Sequence, residues 1–264
     1  MLDGNIKQKR FGSMYINGWF AAPNTPYPSN DGQIAFEDTV ADRSIPWIWV
    51  NDTWIAGAVY ALGVTWVDLN RMGYIFGRPV RIDGKPYLCC SLKVGEERDV
   101  PNEWDAALDA TCSDDELWRW NGKYFVGQEC MGEGKEETCV IRGMISPRDS
   151  SRYSVRDTNI YIGFRPVLEE LPAEPKISDE LRGSVLTVYG QGQALGGILV
   201  DYTDYDLILV SGFDIDCPAF KGLAYKCGKE KIVINRAAIT YLSTTDDPQH
   251  PPATQNAGKK VKEK

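Results

Sequence analysis

The sequence predicts an α+β chain of two domains, and three observations carry that expectation. Short β-like runs recur along the chain, separated by single glycines and by turn pairs such as Asp83-Gly84. Two segments, 65–73 and 101–111, instead repeat apolar residues at helical spacing behind a capping residue. The stretch "LEELPAEPKISDELRG", residues 168–183, sets two prolines and five acidic residues between hydrophobic runs, which is linker chemistry. The expected division is a first domain over 1–170, a linker over 171–183, a second domain over 184–243 and a tail over 244–264. Two domains also suit a chain of 264 residues.

In the first domain "IPWIWV" reads as a strand, and "TWVDLNRMGYIFG" as a short helix from the cap Thr65 to a stop near Gly73. "RPVRIDGKPYLCCSLKVG" carries the turn pair Asp83-Gly84 between two strands, a hairpin signal. Its vicinal Cys89 and Cys90 then face opposite sides of a sheet. "PNEWDAALDAT" is helical, with Asn102 as cap and Trp104, Ala107 and Leu108 on one face. "ELWRWNGKYFVGQE" returns to strands and turns. Trp104, Trp118 and Trp120 read as core. Two apolar strands, "CVIRG" and "IYIGFRPVL", then bracket a polar loop over 147–158. Pro147 and the serines and aspartates oppose a long helix there, so the loop is expected to be irregular and exposed. Arg148, Asp149, Ser151, Arg152, Tyr153, Arg156 and Asp157 are its candidate contact residues, since arginine and tyrosine supply large area and directed hydrogen bonds at interfaces. The alternative is a loop that is merely solvated.

In the second domain a short helix (SDELRG) precedes strands at 185–189, 194–201, 204–210, 231–235 and 239–243, with a long loop bearing Cys217 and Cys227. Five short bent strands are expected to close into a small barrel, which removes sticky edges.

Composition excludes several kinds of chemistry. The one histidine, His250, lies in a proline- and lysine-rich tail expected to be disordered. No ordered histidine is then left for a Ser-His-Asp or Cys-His arrangement. The seven cysteines are odd in number and include no CxxC pair, which points to reduced thiols and away from zinc, whose ligands usually stand two to four residues apart. No cofactor is called for. No apolar run approaches the ~18 residues of a membrane span, and the N-terminus lacks the apolar stretch of a secretory signal. A cytoplasmic protein of a bacterial or phage-infected cell, or a virion component, is expected. The net charge of −8 discourages nonspecific binding to phosphate backbones.

"VIRG", an arginine-bearing loop and "IGFRPVL" in that order resemble the ending of formylglycine-generating-enzyme-like domains of the C-type lectin superfamily. "TWVDLNRMGYIFG", "IDGKPYL", "NEWDAAL" and "LWRWNGKYFVGQE" are similar to a domain frequent in prophages of Gram-positive bacteria, over roughly 40–169. The resemblance implies a C-type-lectin-like domain whose variable loop lies just before the ending. It does not carry the oxidase activity: that family's two copper-binding cysteines follow the Arg-Gly signature, and after Arg142-Gly143 the next cysteine is Cys217. Arg165 reads as a buried brace.

"GILVDYTDYDLIL" and "IVINRAAITYL" resemble the two motifs of the Sm-like fold, especially its bacterial Hfq branch, and imply an Sm-like five-stranded β-barrel. Gly197 then takes the bending glycine, and Tyr202 and Tyr205 the two aromatics. The resemblance implies base stacking by Tyr205, helped by Asn235 and Arg236. Thr203 stands where the family carries aspartate, and Asn-Arg stands for its Arg-Gly or Lys-His. Residues 171–243 hold seven Lys/Arg against nine Asp/Glu, the wrong sign for an RNA-binding ring.

The expected function is therefore noncatalytic: a phage- or prophage-type recognition protein. A lectin-like domain would bind a protein or small ligand, and an Sm-like barrel would assemble it into a homo-oligomeric ring, raising avidity. The alternatives are an RNA-binding regulator and an enzyme using carboxylates.

Overall fold

The computed structural model describes residues 6–28, 32–96, 100–120, 122–190, 193–210, 220–228 and 230–244. The chain divides into two compact units, Met1–Leu171 and Pro172–Lys264. The α+β expectation is corrected by the observed content: strands make up 47% and helices 15%, in curled antiparallel sheets, so the fold is β-rich. The helices foreseen are present but last only one or two turns, and strands fill stretches that read as loop.

The first unit runs β1 (Lys7–Ile16), β2 (Trp19–Phe20), β3 (Ile34–Glu37), β4 (Ser44–Val50), β5 (Thr53–Ala56), α1 (Trp66–Arg71), β6 (Arg78–Ile82), β7 (Lys85–Cys90), α2 (Glu103–Ala110), α3 (Asp115–Trp118), β8 (Tyr124–Met131), β9 (Thr138–Gly143), β10 (Ser150–Ser154), β11 (Ile162–Gly163) and β12 (Val167–Glu170). One sheet has the order β2-β1-β4-β5-β12-β7-β6, with β3 also on β1; a second has the order β10-β9-β8-β11. The helix starts follow from capping. Thr65 Oγ1 accepts from the Asp68 amide at 3.0 Å, and Asn102 Oδ1 from the Asp105 amide at 2.9 Å. Asp83 (φ 51°) and Gly84 (φ 75°) hold the left-handed pair that a two-residue hairpin needs between β6 and β7.

Alternation along the large sheet divides its side chains between two buried clusters. Trp47, Trp54, Cys89 and Leu168 enter one cluster; their chain neighbours Ile48, Ile55, Cys90 and Val167 enter the other. A sheet buried on both faces needs continuous apolar strands, which is why "IPWIWV" shows no polar alternation. "ELW" is the exception to the strand reading of 116–129: Asp114 caps the short helix α3 through the Glu116 and Leu117 amides.

The second unit runs β13 (Val185–Gly190), β14 (Gln193–Tyr202), β15 (Asp206–Val210), β16 (Ala224–Cys227), β17 (Lys231–Asn235) and β18 (Tyr241–Thr244) in the order β16-β17-β15-β14-β13-β18. The five-stranded barrel is thereby corrected: the sheet has six strands, and no pairing of β16 with β18 closes it among the described residues. Added strand β16 covers the outer edge of β17. Strand β14 bends where its register shifts between Leu199 and Asp201, and Gly197 permits the close approach to β15, since a Cβ there would stand 2.8 Å from the Val210 carbonyl oxygen. Residues before β13 are tied to this sheet: Tyr241 donates its hydroxyl to Pro172 O, and Arg182 pairs with Asp201 at 2.9 Å. His250, Cys217 and nearly all of the expected tail (from 245) lie outside the described residues.

Candidate functional site

The four-stranded sheet of the first unit positions the residues before "GFRPVL". Strand β9 ends at Gly143, whose φ of 109° and close approach (2.7 Å from an added Cβ to Lys123 O) leave no room for a side chain. The Gly143 amide donates to Asp149 O at 3.0 Å, and the Met144 amide to Lys123 O at 2.9 Å. The chain then turns back as β10, with Ser150 opposite Arg142 and Ser154 opposite Thr138. This corrects the expectation of an irregular loop over 147–158: residues 150–154 form an edge strand. Its sequence, SSRYS, has no apolar alternation, because only its pairing with β9 gives it strand form.

The seven candidate residues do not share one surface role. Arg148 is half-buried and bridges Asp105 (3.3 Å) and Asp109 on α2. Asp149 accepts from the Tyr124 hydroxyl at 3.1 Å. These two therefore fasten the turn to the body of the unit, as does Trp104 Nε1, which donates to Pro147 O at 2.7 Å. Ser151 and Arg152 are exposed on β10, while Tyr153 packs partly against the core. Arg156 and Asp157 are exposed beyond the far end of β10, where Arg156 lies 3.9 Å from Glu137.

Three exposed apolar residues escaped the sequence reading. Ile145 is 79% exposed, Ile160 69% and Tyr161 47%. They gather at the Gly143 end of the sheet. Tyr161 O accepts from the Tyr124 amide at 2.8 Å, and the Lys123 ammonium lies 4.8 Å from the centre of the Tyr161 ring. Ser150 and Ser151 enter β10 at that same end. The sequence places Ile160 and Tyr161 inside the expected strand IYIGFRPVL, but the strand begins only at Ile162, which leaves both outside it, where the core has no use for them.

Behind this surface the arginines are internal. Arg142 is 1% exposed and pairs with Asp105. Arg165 is fully buried and donates to Ala56 O at 2.7 Å and Trp118 O at 2.9 Å, so it is a brace. Burial pulls its guanidinium down to about 9, which leaves it charged at neutral pH. Burial also pushes the thiols of Cys89 and Cys90 well up, and those of Cys139 and Cys130 up to about 12, so all four stay protonated and poorly nucleophilic. None of the six described cysteines is in a disulfide. No group of three or more His, Cys, Asp or Glu stands close enough to hold a metal among the described residues.

In the second unit, Tyr205 is 76% exposed at the bend between β14 and β15. Thr203 shapes the bend: its Oγ1 accepts from the Tyr205 and Asp206 amides at 3.1 and 2.9 Å. The Arg236 amide donates to Tyr205 O at 2.7 Å, and its guanidinium to Thr203 O at 2.9 Å. Tyr205 and Arg236 are thus brought together, whereas Asn235 spends its side-chain oxygen on the Ala237 amide at 2.9 Å. No helix among the described residues is long and apolar enough to cross a membrane. No family model matches the chain, and neither a curated protein nor a solved structure does.

Proposed function

We propose that the chain is a noncatalytic recognition protein, in which the first unit binds a partner and the second gathers copies of the chain. The observation that carries this reading is the exposed trio Ile145, Ile160 and Tyr161 at one end of a sheet whose own apolar residues are buried or half-buried. An aromatic and two aliphatics beside the lysine Lys123 and the polar edge strand β10 make up the apolar centre and polar rim of an interface. Among the described residues strand β10 also has a neighbour on one side only, so an extended segment of a partner can add to it. The protonated thiols and the use of Arg142, Arg148 and Arg165 as internal ties support binding in preference to catalysis.

Peptides selected from a random display library on the folded protein test this reading. The double change Ile145→Ser, Tyr161→Ser is expected to weaken the selected peptides by ~2 kcal/mol or more, as for interface hot spots. Peptides that bind this variant and an Arg152→Ala, Tyr153→Ala variant as tightly as the parent would overturn it.

A second reading, RNA binding, is favoured by the exposed Tyr205 ring next to Arg236. It requires that an oligouridine bind and that Tyr205→Ala weaken it by the ~1–3 kcal/mol of one stacked base. Unchanged binding would remove it.

A further inference from the structure

A concave feature of the first unit is lined by none of the residues of the sheet end. A cleft of about 220 Å³ opens between β1, β4 and α3, lined by Gln8, Arg10, Pro46, Ile48, Leu117 and Arg119 among others. Gly57 also borders it, held by its amide to Pro46 O at 2.9 Å.

Its electrostatics are opposite to those of the chain as a whole, which carries a net −8. Arg10 gives Nε and one terminal nitrogen to Ser44, at 3.3 and 2.8 Å, and has no carboxylate partner among the described residues. Arg119 makes no side-chain hydrogen bond or ion pair among them either. Its backbone is left-handed, at φ 43° and ψ 48°, a conformation that costs free energy in a residue other than glycine. Glu116 is the one acidic residue in the lining.

Lys9 also lines the cleft, with its ammonium 5.3 Å from the centre of the Phe11 ring, and Arg165 adds a further cation from inside. Its two hydrogen bonds go to Ala56 O and Trp118 O, the residues just before Gly57 and Arg119, so it braces both walls of the cleft. The side chain is fully buried, its Nε has no partner among the described residues, and its ring contacts with Trp104 and Phe125 are to neutral groups. A buried cation answered only by carbonyl dipoles and ring faces leaves positive charge uncompensated. Arg10, Arg119 and Arg165 also all act on the Tyr60 hydroxyl, drawing its pKa down against the larger opposing effect of burial, which places the three charges in one neighbourhood.

We propose that this cleft binds the oxyanion of a small molecule, a carboxylate or phosphate group held by Arg10 and Arg119, with the rest of the molecule resting on Pro46, Ile48 and Leu117. Guanidinium forks suit both groups, since each offers two oxygens in the spacing of the fork. Arg165 supplies field from below without touching the ligand.

Calorimetric titration of the full chain with sodium phosphate and with sodium benzoate, at ionic strength fixed by sodium chloride, tests the proposal. Saturable binding of at least one is expected. Tighter phosphate assigns a phosphate ligand; tighter benzoate assigns a carboxylate with an apolar body. Arg119→Asn, which keeps a residue suited to the left-handed backbone, is expected to weaken binding about tenfold, the order of one charge-assisted hydrogen bond. Glu116→Gln is expected to tighten it about threefold by removing a like charge from the rim. Lys85→Gln with Lys135→Gln, which removes positive charge outside the lining, should leave it unchanged. Arg10→Gln should weaken it too; if that variant fails to fold, Arg119→Asn decides alone. No saturable binding of either anion, an unchanged Arg119→Asn, or an equal loss in the lysine control would each overturn the proposal.

Discussion

The guanidinium carbon of Arg165 lies 5.1 Å from the ring centres of both Trp104 and Phe125. Strand, helix and loop meet there: Trp104 belongs to α2 and Phe125 to β8, while the carbonyls Arg165 satisfies belong to Ala56 on β5 and Trp118 at the end of α3. One side chain therefore replaces water for two buried acceptors and fills the space between two rings.

Replacing it with methionine keeps the volume and removes the donors. Two buried carbonyls lose their partners, each worth ~1–3 kcal/mol when left unsatisfied, and two cation–ring contacts go with them. Relief from burying a charge offsets part of this, so Arg165→Met is expected to lower unfolding free energy by about 1–3 kcal/mol, measured in urea. Arg165→Lys should recover little, because an ammonium cannot reach both carbonyls as a planar fork does. A loss below about 1 kcal/mol, the worth of one ordinary hydrogen bond, would show that Arg165 does not brace the unit.

Much of this architecture could be read from sequence where local chemistry decides it. Thr65 and Asn102 cap the helices they were expected to cap, and Asp83-Gly84 turns its hairpin. The expected strands 185–189 and 231–235 fall within a residue of β13 and β17. What escaped depends on pairing with a neighbouring strand and not on the pattern of the segment's own residues. Strand β10 is polar throughout and is a strand because β9 pairs with it; β16, AYKC, exists through β17 in the same way. Helix α3 has four residues, too few to show a period. Missing these elements inflated the weight of the helices and produced the α+β expectation. The cleft was invisible for a related reason: Arg10 and Arg119 are ordinary surface arginines until the fold sets them around one space.

Stability at high pH follows from the buried thiols. In the unfolded chain a thiol titrates near 8.5; in the folded chain burial holds Cys89 and Cys90 well above this and Cys139 up to about 12. Between those values the unfolded state sheds a proton that the folded state keeps, so raising the pH favours unfolding. Stability is fully present below the unfolded value and is lost as pH rises toward the folded one. Each such thiol contributes a limiting slope of about −1.4 kcal/mol per pH unit above ~9. Urea unfolding under reductant should show a clear fall between about pH 8 and pH 10, where the unfolded thiol titrates. Changing Cys89 and Cys90 to alanine should flatten the slope while costing stability at neutral pH through the cavities left. An unchanged slope in that variant would mean the two thiols are not the groups responsible.

The assembly proposed for the second unit has a specific address. Val185 on β13 stands opposite Ile198 on β14, and Ile198 stands opposite Val210 on β15. Val185 is 37% and Ile198 43% exposed, and Val210 is half-buried, so an apolar row crosses three strands on a surface where an isolated sheet would carry polar residues. A second copy of the chain laid on that row would cover it, which makes the row the expected contact between copies. Ile198→Glu places a charge at its centre. Because the side chain is already partly exposed, the fold should lose no more than about 1 kcal/mol, the scale of a cross-strand pair. The assembly should lose far more, about 2 kcal/mol or greater per contact, as a central apolar contact gives way to a buried unpaired carboxylate. Light scattering is expected to report an oligomer for the parent chain and a smaller species for Ile198→Glu at the same concentration, with matching circular dichroism. A parent chain that is monomeric at micromolar concentration removes the assembly from the proposed function, and a variant that assembles as the parent does moves the contact to the edges β16 and β18.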